Sequence, residues 1–97
     1  MRIVKRGTLI AFWEQHAETE QPLKSWWKEV KKADWSSSNE VLQAYSKAKI
    51  LQGHRVRFEI SGGNYRLIVK FNYHYRMGYI RFIGTHAEYD RIDAETI

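Results

Sequence analysis

Cysteine is absent from this 97-residue sequence, and so is any long apolar run. Without cysteine there is neither a disulfide framework nor a zinc site built on thiolates. No apolar segment approaches the roughly 20 residues that span a bilayer. The basic segment at residues 1–10 lacks the apolar block and the cleavage site of a signal peptide. These absences predict a cytoplasmic chain with no membrane partner.

The sequence also lacks the patterns of the common metal and phosphate sites. Its four histidines are scattered, and no two of them form the H-x-x-x-H pair of a helical metal site. The glycine pair Gly62-Gly63 joins two predicted strands rather than a strand and a helix, so it does not indicate a phosphate loop. We therefore predict neither a metal ion nor an organic cofactor.

Positive charge is concentrated in one third of the chain. The whole sequence carries 16 Lys or Arg residues against 11 Asp or Glu residues, a formal net charge of +5. Between His54 and His86 there are six basic residues and one acid, Glu59, whereas the remainder of the chain is balanced. Such a local excess suits a surface that binds nucleic-acid phosphates, although a solvated basic sheet face would show the same composition.

The first half of the chain has helical periodicity. Apolar residues at spacings of three and four predict a helix over 6–16, a second that begins at Pro22 and a short third after Ser37. Ser37 and Glu40 form a capping-box pattern at the start of the third helix. The second helix has one apolar stripe, which is typical of a helix packed on a sheet: Leu23, Trp26, Trp27 and Val30.

The second half changes to the period of two that strands show. Alternation predicts strands over 55–60, 65–72 and 77–83, and residues 1–4 are a candidate fourth strand. In the last long strand, Ile80 and Phe82 are expected on the apolar face, opposite to Arg81. The other face is expected to be wet and basic, with these residues: Arg55, Arg57, Arg66, Lys70 and Arg81.

These elements predict an α+β fold in a single domain over residues 1–97. N-terminal helices are expected to pack on one face of a small antiparallel sheet, followed by a short C-terminal helix. Thr85 and Glu88 form a second capping-box pattern, so the last helix should begin at His86 and carry Tyr89 on the same face. A helix start attracts phosphate, and an imidazole there can exchange protons near neutral pH. Capping and packing are the structural alternatives for His86 and Tyr89.

Two segments together resemble the C-terminal signature of HigB-type toxins, a branch of the RelE-like toxins. They are Gly62-Gly63-Asn64-Tyr65-Arg66-Leu67 and Arg81-Phe82-Ile83-Gly84-Thr85-His86-Ala87-Glu88-Tyr89-Asp90. Weaker similarities upstream extend the resemblance over most of the chain: Pro22-Leu23, Trp27, Ala33, Trp35 and Phe58. Arg57 and Glu59 depart from the family pattern. The resemblance implies a RelE-like fold, cleavage of mRNA on the ribosome, and neutralisation by a helix-turn-helix antitoxin of the HigA type.

RNA can be cut without a metal when its own 2′-OH attacks the neighbouring phosphorus. The protein must then move two protons and stabilise the extra charge on the phosphate. We assign proton transfer to His86, assisted by Tyr89, and charge stabilisation to Arg66. The remaining basic residues of the wet face are expected to bind RNA: Lys70, Arg81, Arg55 and Arg57.

Two other classes of protein fit the same residues. One is a non-catalytic nucleic-acid-binding module that uses the same basic face. The other is an interaction protein, similar in role to an antitoxin, whose basic face binds an acidic protein. Two further histidines are interpreted as exposed residues without a functional role. They are His54, before the first long strand, and His74, in a predicted turn.

Overall fold

The strands of the chain form one five-stranded sheet in a computed structural model that describes residues 1–97. In chain order they are β1 (Arg2–Val4), β2 (Lys49–Leu51), β3 (Arg55–Ile60), β4 (Tyr65–Asn72) and β5 (Met77–Thr85). Their order in the sheet is β1-β5-β4-β3-β2. β1 is parallel to β5, and all other neighbours are antiparallel. The predicted α+β class is confirmed, and β2 is an edge strand that the alternation did not reveal.

Four helices accompany the sheet: α1 (Gly7–Gln15), α2 (Glu20–Lys32), α3 (Ser38–Ala44) and α4 (His86–Tyr89). α2 begins at Glu20, two residues before the predicted start. Pro22 therefore lies in its first turn, where a missing N–H breaks no helical hydrogen bond. None of these helices has the combination of length and apolar character that a membrane crossing requires.

The core lies between the helices and one face of the sheet. Leu23, Trp26 and Val30 of the predicted α2 stripe are buried against the strands, and Trp27 is only half-buried at the edge. Phe58 is 1% exposed and lies at the centre of an aromatic cluster. Its ring makes edge contacts with Trp26, Tyr45 and Phe71 at centroid distances of 5.3, 5.2 and 6.2 Å: an arrangement that packs α2, α3 and the sheet together.

The capping box predicted at Ser37 does not form. Ser37 has the extended backbone of an N-cap residue, but its side chain accepts no hydrogen bond from α3. The Glu40 carboxylate instead accepts hydrogen bonds from the backbone N–H of Ser36, at 3.3 Å, and from the Ser36 hydroxyl. The carboxylate thus caps the helix start by binding one residue further back than the pattern predicts.

A β-bulge in β5 overturns the alternation predicted for the end of that strand. Val69 of β4 lies opposite Ile80 and Ile68 lies opposite Phe82, so Arg81 is an extra residue without a partner. Beyond the bulge the two faces are exchanged relative to the prediction. Ile83 therefore packs on the core, whereas Phe82 joins Arg81 on the opposite face, which we call the outer face.

The outer face is partly covered by the segment that follows α4. Arg55 and Arg81 each donate a hydrogen bond from Nε to the carbonyl of Ile97, at 2.8 and 3.3 Å. Nearby, the backbone N–H of Gln52 donates to the Glu95 carboxylate. Ile68, whose side chain belongs to the outer face, is fully buried. The prediction of a uniformly wet second face is therefore wrong.

Candidate active site

α4 is fixed to the end of β5 by the second predicted capping box, which does form. The Thr85 hydroxyl accepts a hydrogen bond from the Glu88 backbone N–H at 3.1 Å, and the Glu88 carboxylate accepts one from the Thr85 N–H at 2.8 Å. That N–H holds the pKa of Glu88 below its ordinary value of 4.5. The His86 N–H also donates to the Asn64 carbonyl at 3.1 Å. The start of α4 is thereby held beside the turn that precedes β4.

The imidazole of His86 lies beside a carboxylate that sequence reasoning missed. Its Nδ1 lies 3.1 Å from Oδ2 of Asp90, and both side chains are more than half exposed, at 55% and 58%. The Asp90 carboxylate thus lies beside the imidazole, and both groups remain accessible to solvent and to a substrate. The spacing of four residues from His86 is the signal that could have identified Asp90, because it places both residues on one helix face.

Tyr89 connects α4 to the guanidinium groups of the sheet. The Cζ atoms of Arg57 and Arg66 lie 5.8 and 5.7 Å from the centroid of its ring. Phe82, turned outward by the bulge, approaches the same ring at a centroid distance of 6.4 Å. Tyr89 is half-buried, so it packs on the outer face and retains some access to solvent. The predicted site residues Arg66 and Tyr89 are thus neighbours, and His86 lies one helical turn away.

Glu59 holds both guanidinium groups in place. Its Oε2 lies 3.2 Å from Nη2 of Arg57 and 3.8 Å from Nη1 of Arg66, which is its cross-strand partner. Arg66 also donates from Nε to the Gly63 carbonyl at 3.2 Å, and its side chain is only 12% exposed. Gly63 has a φ of +95°, and a Cβ there would lie 3.0 Å from Glu59 Oε1. Glycine at this turn therefore leaves the space that Glu59 occupies.

We name this group the His86 cluster, and its members are His86, Asp90, Tyr89, Arg66, Arg57 and Glu59. It offers an imidazole beside the Asp90 carboxylate, two pre-positioned guanidinium groups, and a second carboxylate that contacts both of them. Guanidinium groups bind phosphate oxygens with two parallel hydrogen bonds. An imidazole or carboxylate close to a bound phosphate can transfer protons. The cluster therefore has the groups that phosphodiester cleavage requires.

Lys70 and Arg81 lie on the outer face but outside the His86 cluster. Lys70 is four residues beyond Arg66 in β4, which separates the two by about 13 Å along the strand. Both Lys70 and Arg81 are exposed, as predicted. Their role in RNA binding stays a prediction.

Arg55 does not have the exposure that was predicted for an RNA-binding residue. It is 9% exposed, and its guanidinium donates to the carbonyls of Ile97 and Gly53. The expectation of an open side chain is wrong because the segment after α4 folds over it. Arg57 is also largely buried, with 15% of its side chain exposed, but it lies within the His86 cluster.

Side chains that could jointly ligate a metal ion are not clustered in this fold. No group of three or more His, Asp or Glu residues comes close enough together. The expectation of metal-independent chemistry stays a prediction.

Comparison with known proteins agrees with the resemblance found in the sequence. A model of the HigB toxin family, described as the RelE-like toxic component of a toxin–antitoxin system, matches residues 19–92. No match is found among curated proteins. The matched region runs from the start of α2 past the end of α4, so it contains the whole His86 cluster. The predicted resemblance and the predicted RelE-like fold are both confirmed.

Proposed function

Since this chain belongs to the HigB toxin family, the RelE-like toxic components of toxin–antitoxin systems, we propose that it is a metal-independent endoribonuclease that cuts mRNA on the ribosome. Membership implies a toxin that is paired with an antitoxin, and it suggests ribonuclease activity in general terms. The choice of mRNA, the need for the ribosome and the catalytic mechanism are our proposal. Cleavage of this kind would inhibit translation.

One observation carries the proposal: the His86 imidazole, with the Asp90 carboxylate beside it, lies one helical turn from the Tyr89 ring, which packs against Arg66. A group suited to proton transfer and a group suited to phosphate binding thus lie at the same end of the outer face. Both are positioned by contacts within the chain, before any substrate arrives. Such preorganisation is the main source of electrostatic catalysis.

The proposed reaction uses the RNA as its own nucleophile. The 2′-oxygen attacks the adjacent phosphorus, so an O2′–P bond forms while the P–O5′ bond breaks. One proton leaves the 2′-OH and another reaches the departing 5′-oxygen. The products are a 2′,3′-cyclic phosphate and a 5′-hydroxyl, and no water or metal enters the step.

The residues of the His86 cluster divide this work. The His86 imidazole carries one of the two proton transfers, with the Asp90 carboxylate beside it. Arg66, with Arg57 beside it, binds the phosphate oxygens as negative charge grows on them. Tyr89 packs against both guanidinium groups and offers its hydroxyl or ring to the substrate. A proton-transfer residue typically contributes about 10²–10⁴ in rate.

We further propose that the toxin acts in the cytoplasm and is silenced by a helix-turn-helix antitoxin of the HigA type. The description of the matching family names a toxin–antitoxin system without giving the class of the antitoxin. An antitoxin could act by covering the basic outer face or by blocking entry to the ribosome. A small helix-turn-helix protein encoded beside this chain would support this part of the proposal.

The first experiment tests His86 and Tyr89 in cells. His86→Ala and Tyr89→Ala are expected to abolish growth arrest and the new mRNA 5′ ends that follow induction, while the circular dichroism melting curve stays close to that of the parent. Both side chains lie on the surface of α4, so the fold should tolerate their loss. Unchanged arrest by the His86 variant at equal expression would remove it from the mechanism. Arrest without new 5′ ends would favour a toxin that only binds.

A substrate with sulfur in place of the leaving 5′-oxygen assigns the role of His86. A thiolate departs without needing a proton, so it makes a general acid dispensable. If His86 is the acid, His86→Ala should cleave this substrate almost as fast as the parent does. If His86 is the base, the defect should persist. Asp90→Asn should slow cleavage of the unmodified RNA less than His86→Ala does, because it removes only the charge beside the imidazole.

The products test the mechanism as a whole. Cleavage is expected to persist in a chelator and to leave a 2′,3′-cyclic phosphate or the 3′-phosphate derived from it. Mass spectrometry of the cut ends distinguishes these groups. A 3′-hydroxyl product that depends on Mg²⁺ would contradict internal attack.

A further inference from the structure

A second feature of the outer face lies away from the His86 cluster: a cavity of about 550 Å³ at the other end of β4 and β5. Its volume falls within the range of small-molecule sites. The cavity combines cationic, imidazole and aromatic side chains, and those that the argument uses are His54, Lys70, His74, Tyr79 and Arg81. No acidic residue lines it.

The fold brings these residues together from four separate segments. Lys70 and Tyr79 lie directly opposite each other in β4 and β5, and the bulge adds Arg81 beside them. His54 has a left-handed backbone with a φ of +62°, and its carbonyl accepts a hydrogen bond from the Phe71 N–H at 2.8 Å. His74 lies in the β4–β5 turn. His54 and His74, to which the sequence analysis assigned no function, therefore line the same cavity.

The cations of the cavity pair with no Asp or Glu side chain. Lys70 takes part in no ion pair or side-chain hydrogen bond, and the same holds for both imidazoles. Arg81 donates from Nε to the main-chain oxygen of Ile97 at 3.3 Å, and its two Nη groups pair with no Asp or Glu side chain. An anion would therefore gain Lys70 as an unpaired cation, together with the Nη groups of Arg81, without displacing an Asp or Glu side chain. The half-exposed ring of Tyr79 beside them gives a flat apolar surface.

Cations that alternate with exposed rings are the pattern by which proteins bind single-stranded nucleic acid. We propose that this cavity binds one nucleotide of the RNA substrate, with its phosphate on Lys70 and Arg81 and its base against Tyr79. The inference rests on the proposed function, because it names a second contact for the same RNA. The distance of about 13 Å from Lys70 to Arg66 along β4 means that the bound nucleotide is not the one being cut.

A binding experiment tests the cavity without relying on cleavage. The probe is a fluorescent single-stranded RNA with 2′-O-methyl groups throughout, which internal attack cannot cut, and anisotropy reports its affinity. Tyr79→Ala is expected to weaken binding about 5- to 150-fold, the effect of losing one stacked base. Tyr79→Phe keeps the ring and should bind within about twofold of the parent. Tyr75→Ala is the matched control, since Tyr75 is 68% exposed and does not line the cavity.

Lys70→Ala gives a second, independent variant at an exposed position, where folding is not in question. It should weaken binding and reduce the salt dependence of affinity by about one unit of slope, as expected when one phosphate contact is lost. In cleavage assays on ribosome-bound mRNA, Tyr79→Ala and Lys70→Ala should raise KM and leave kcat close to the parent value. This is the opposite of the effect expected for the His86 cluster.

Three results would overturn the inference. Parent-like RNA binding by both Tyr79→Ala and Lys70→Ala would remove the cavity from the RNA path. An equal loss with Tyr75→Ala would show that the ring contact is not specific to it. Variants that lose binding to poly-glutamate but keep RNA binding would assign the cavity to an acidic protein partner. A parent protein that binds the probe but cuts no mRNA would refute the proposed function and leave the cavity as an RNA site.

Discussion

Replacing Arg66 with alanine is expected to slow RNA cleavage far more than it weakens RNA binding. The guanidinium is held by its Nε bond to the Gly63 carbonyl at 3.2 Å and by Glu59 at 3.8 Å, and it packs beside the Tyr89 ring. With only 12% of its side chain exposed, it lies in a partly desolvated place. A cation fixed in this way needs no reorganisation when charge grows on a bound phosphate.

The expected loss of rate in Arg66→Ala follows from its proposed role, the stabilisation of charge in the transition state. Loss of one preorganised group that stabilises transition-state charge lowers the rate by about 10²–10³, or about 2.7–4 kcal/mol. Lys70 is exposed and unpaired, so Lys70→Ala should mainly change affinity, with a salt slope lower by about one unit. The same expectation holds for Arg81→Ala. The two kinds of variant therefore separate catalysis from binding.

The assay is single-turnover cleavage at saturating ribosome–mRNA complex, with binding measured in parallel. Arg66→Lys keeps the charge but loses the bond from Nε and the two-pronged geometry, so it should recover only part of the rate. Removing Arg66 also leaves the Glu59 carboxylate with Arg57 as its remaining partner. The double variant Arg66→Ala/Glu59→Gln controls for this, because it removes the unpaired charge together with the guanidinium.

Full recovery of Arg66→Ala cleavage at saturation would refute the reasoning. Arg66 would then be one more binding residue, and the chemistry would rest on His86, Tyr89 and the geometry of the RNA on the ribosome. If adding Glu59→Gln restores the cleavage rate of Arg66→Ala, the defect comes from the unpaired Glu59 carboxylate and not from the missing guanidinium. A defect shared by single and double variants supports the catalytic role.

Three further predictions concern the fold that carries the cluster. Phe58→Ala should lower the free energy of unfolding by about 3–5 kcal/mol in denaturant titrations, because this ring is 1% exposed, and a loss below about 1 kcal/mol would contradict the packing. Gly63→Ala should cost about 1–3 kcal/mol and slow cleavage, because its φ is +95° and an added Cβ crowds Glu59. Gly62→Ala is its control, with a φ of +69° and nothing within 4 Å, and equal cleavage defects would argue against the crowding. The Glu88 carboxylate has a lowered pKa in the fold, so its stabilising effect is present above the ordinary value of 4.5 and is lost as the pH falls through the lowered value. Glu88→Gln should therefore flatten the acid side of the plot of Tm against pH, and an unchanged acid side would show that the cap contributes nothing.

The sequence predicts well those features that depend on neighbours along the chain. The period of two locates β3 and β4 to the residue, since one buried face fixes which side chains turn inward. The pattern Thr85-x-x-Glu88 predicts a real capping box, and with it the position of His86. The similar pattern at Ser37 fails because Glu40 binds Ser36 instead. A local pattern is thus reliable where no other hydrogen-bond partner competes for the side chain that it involves.

The features that the sequence did not predict depend on contacts between distant residues. The alternation of β3 predicts that Arg55 is exposed to solvent, yet Ile97, 42 residues later in the chain, covers it. The bulge at Arg81 leaves no mark in the apolar pattern, because Phe82 and Ile83 are both apolar and either could face the core. Glu59 joins the site through its register with Arg66 across two strands. Asp90 differs, because its helical spacing from His86 was visible in the sequence.

Under the proposed function, the distribution of charge on the outer face separates the two tasks that RNA cleavage requires. Near His86, the charges of Arg57 and Arg66 are shared with Glu59, so these groups are rigid but attract RNA weakly from a distance. Around the cavity, Lys70 has no acidic partner and retains its full field. An unpaired charge steers and holds a polyanion, whereas a paired and fixed guanidinium stabilises one particular phosphate. We therefore expect affinity to be determined mainly at the cavity end of β4 and rate mainly at the His86 end.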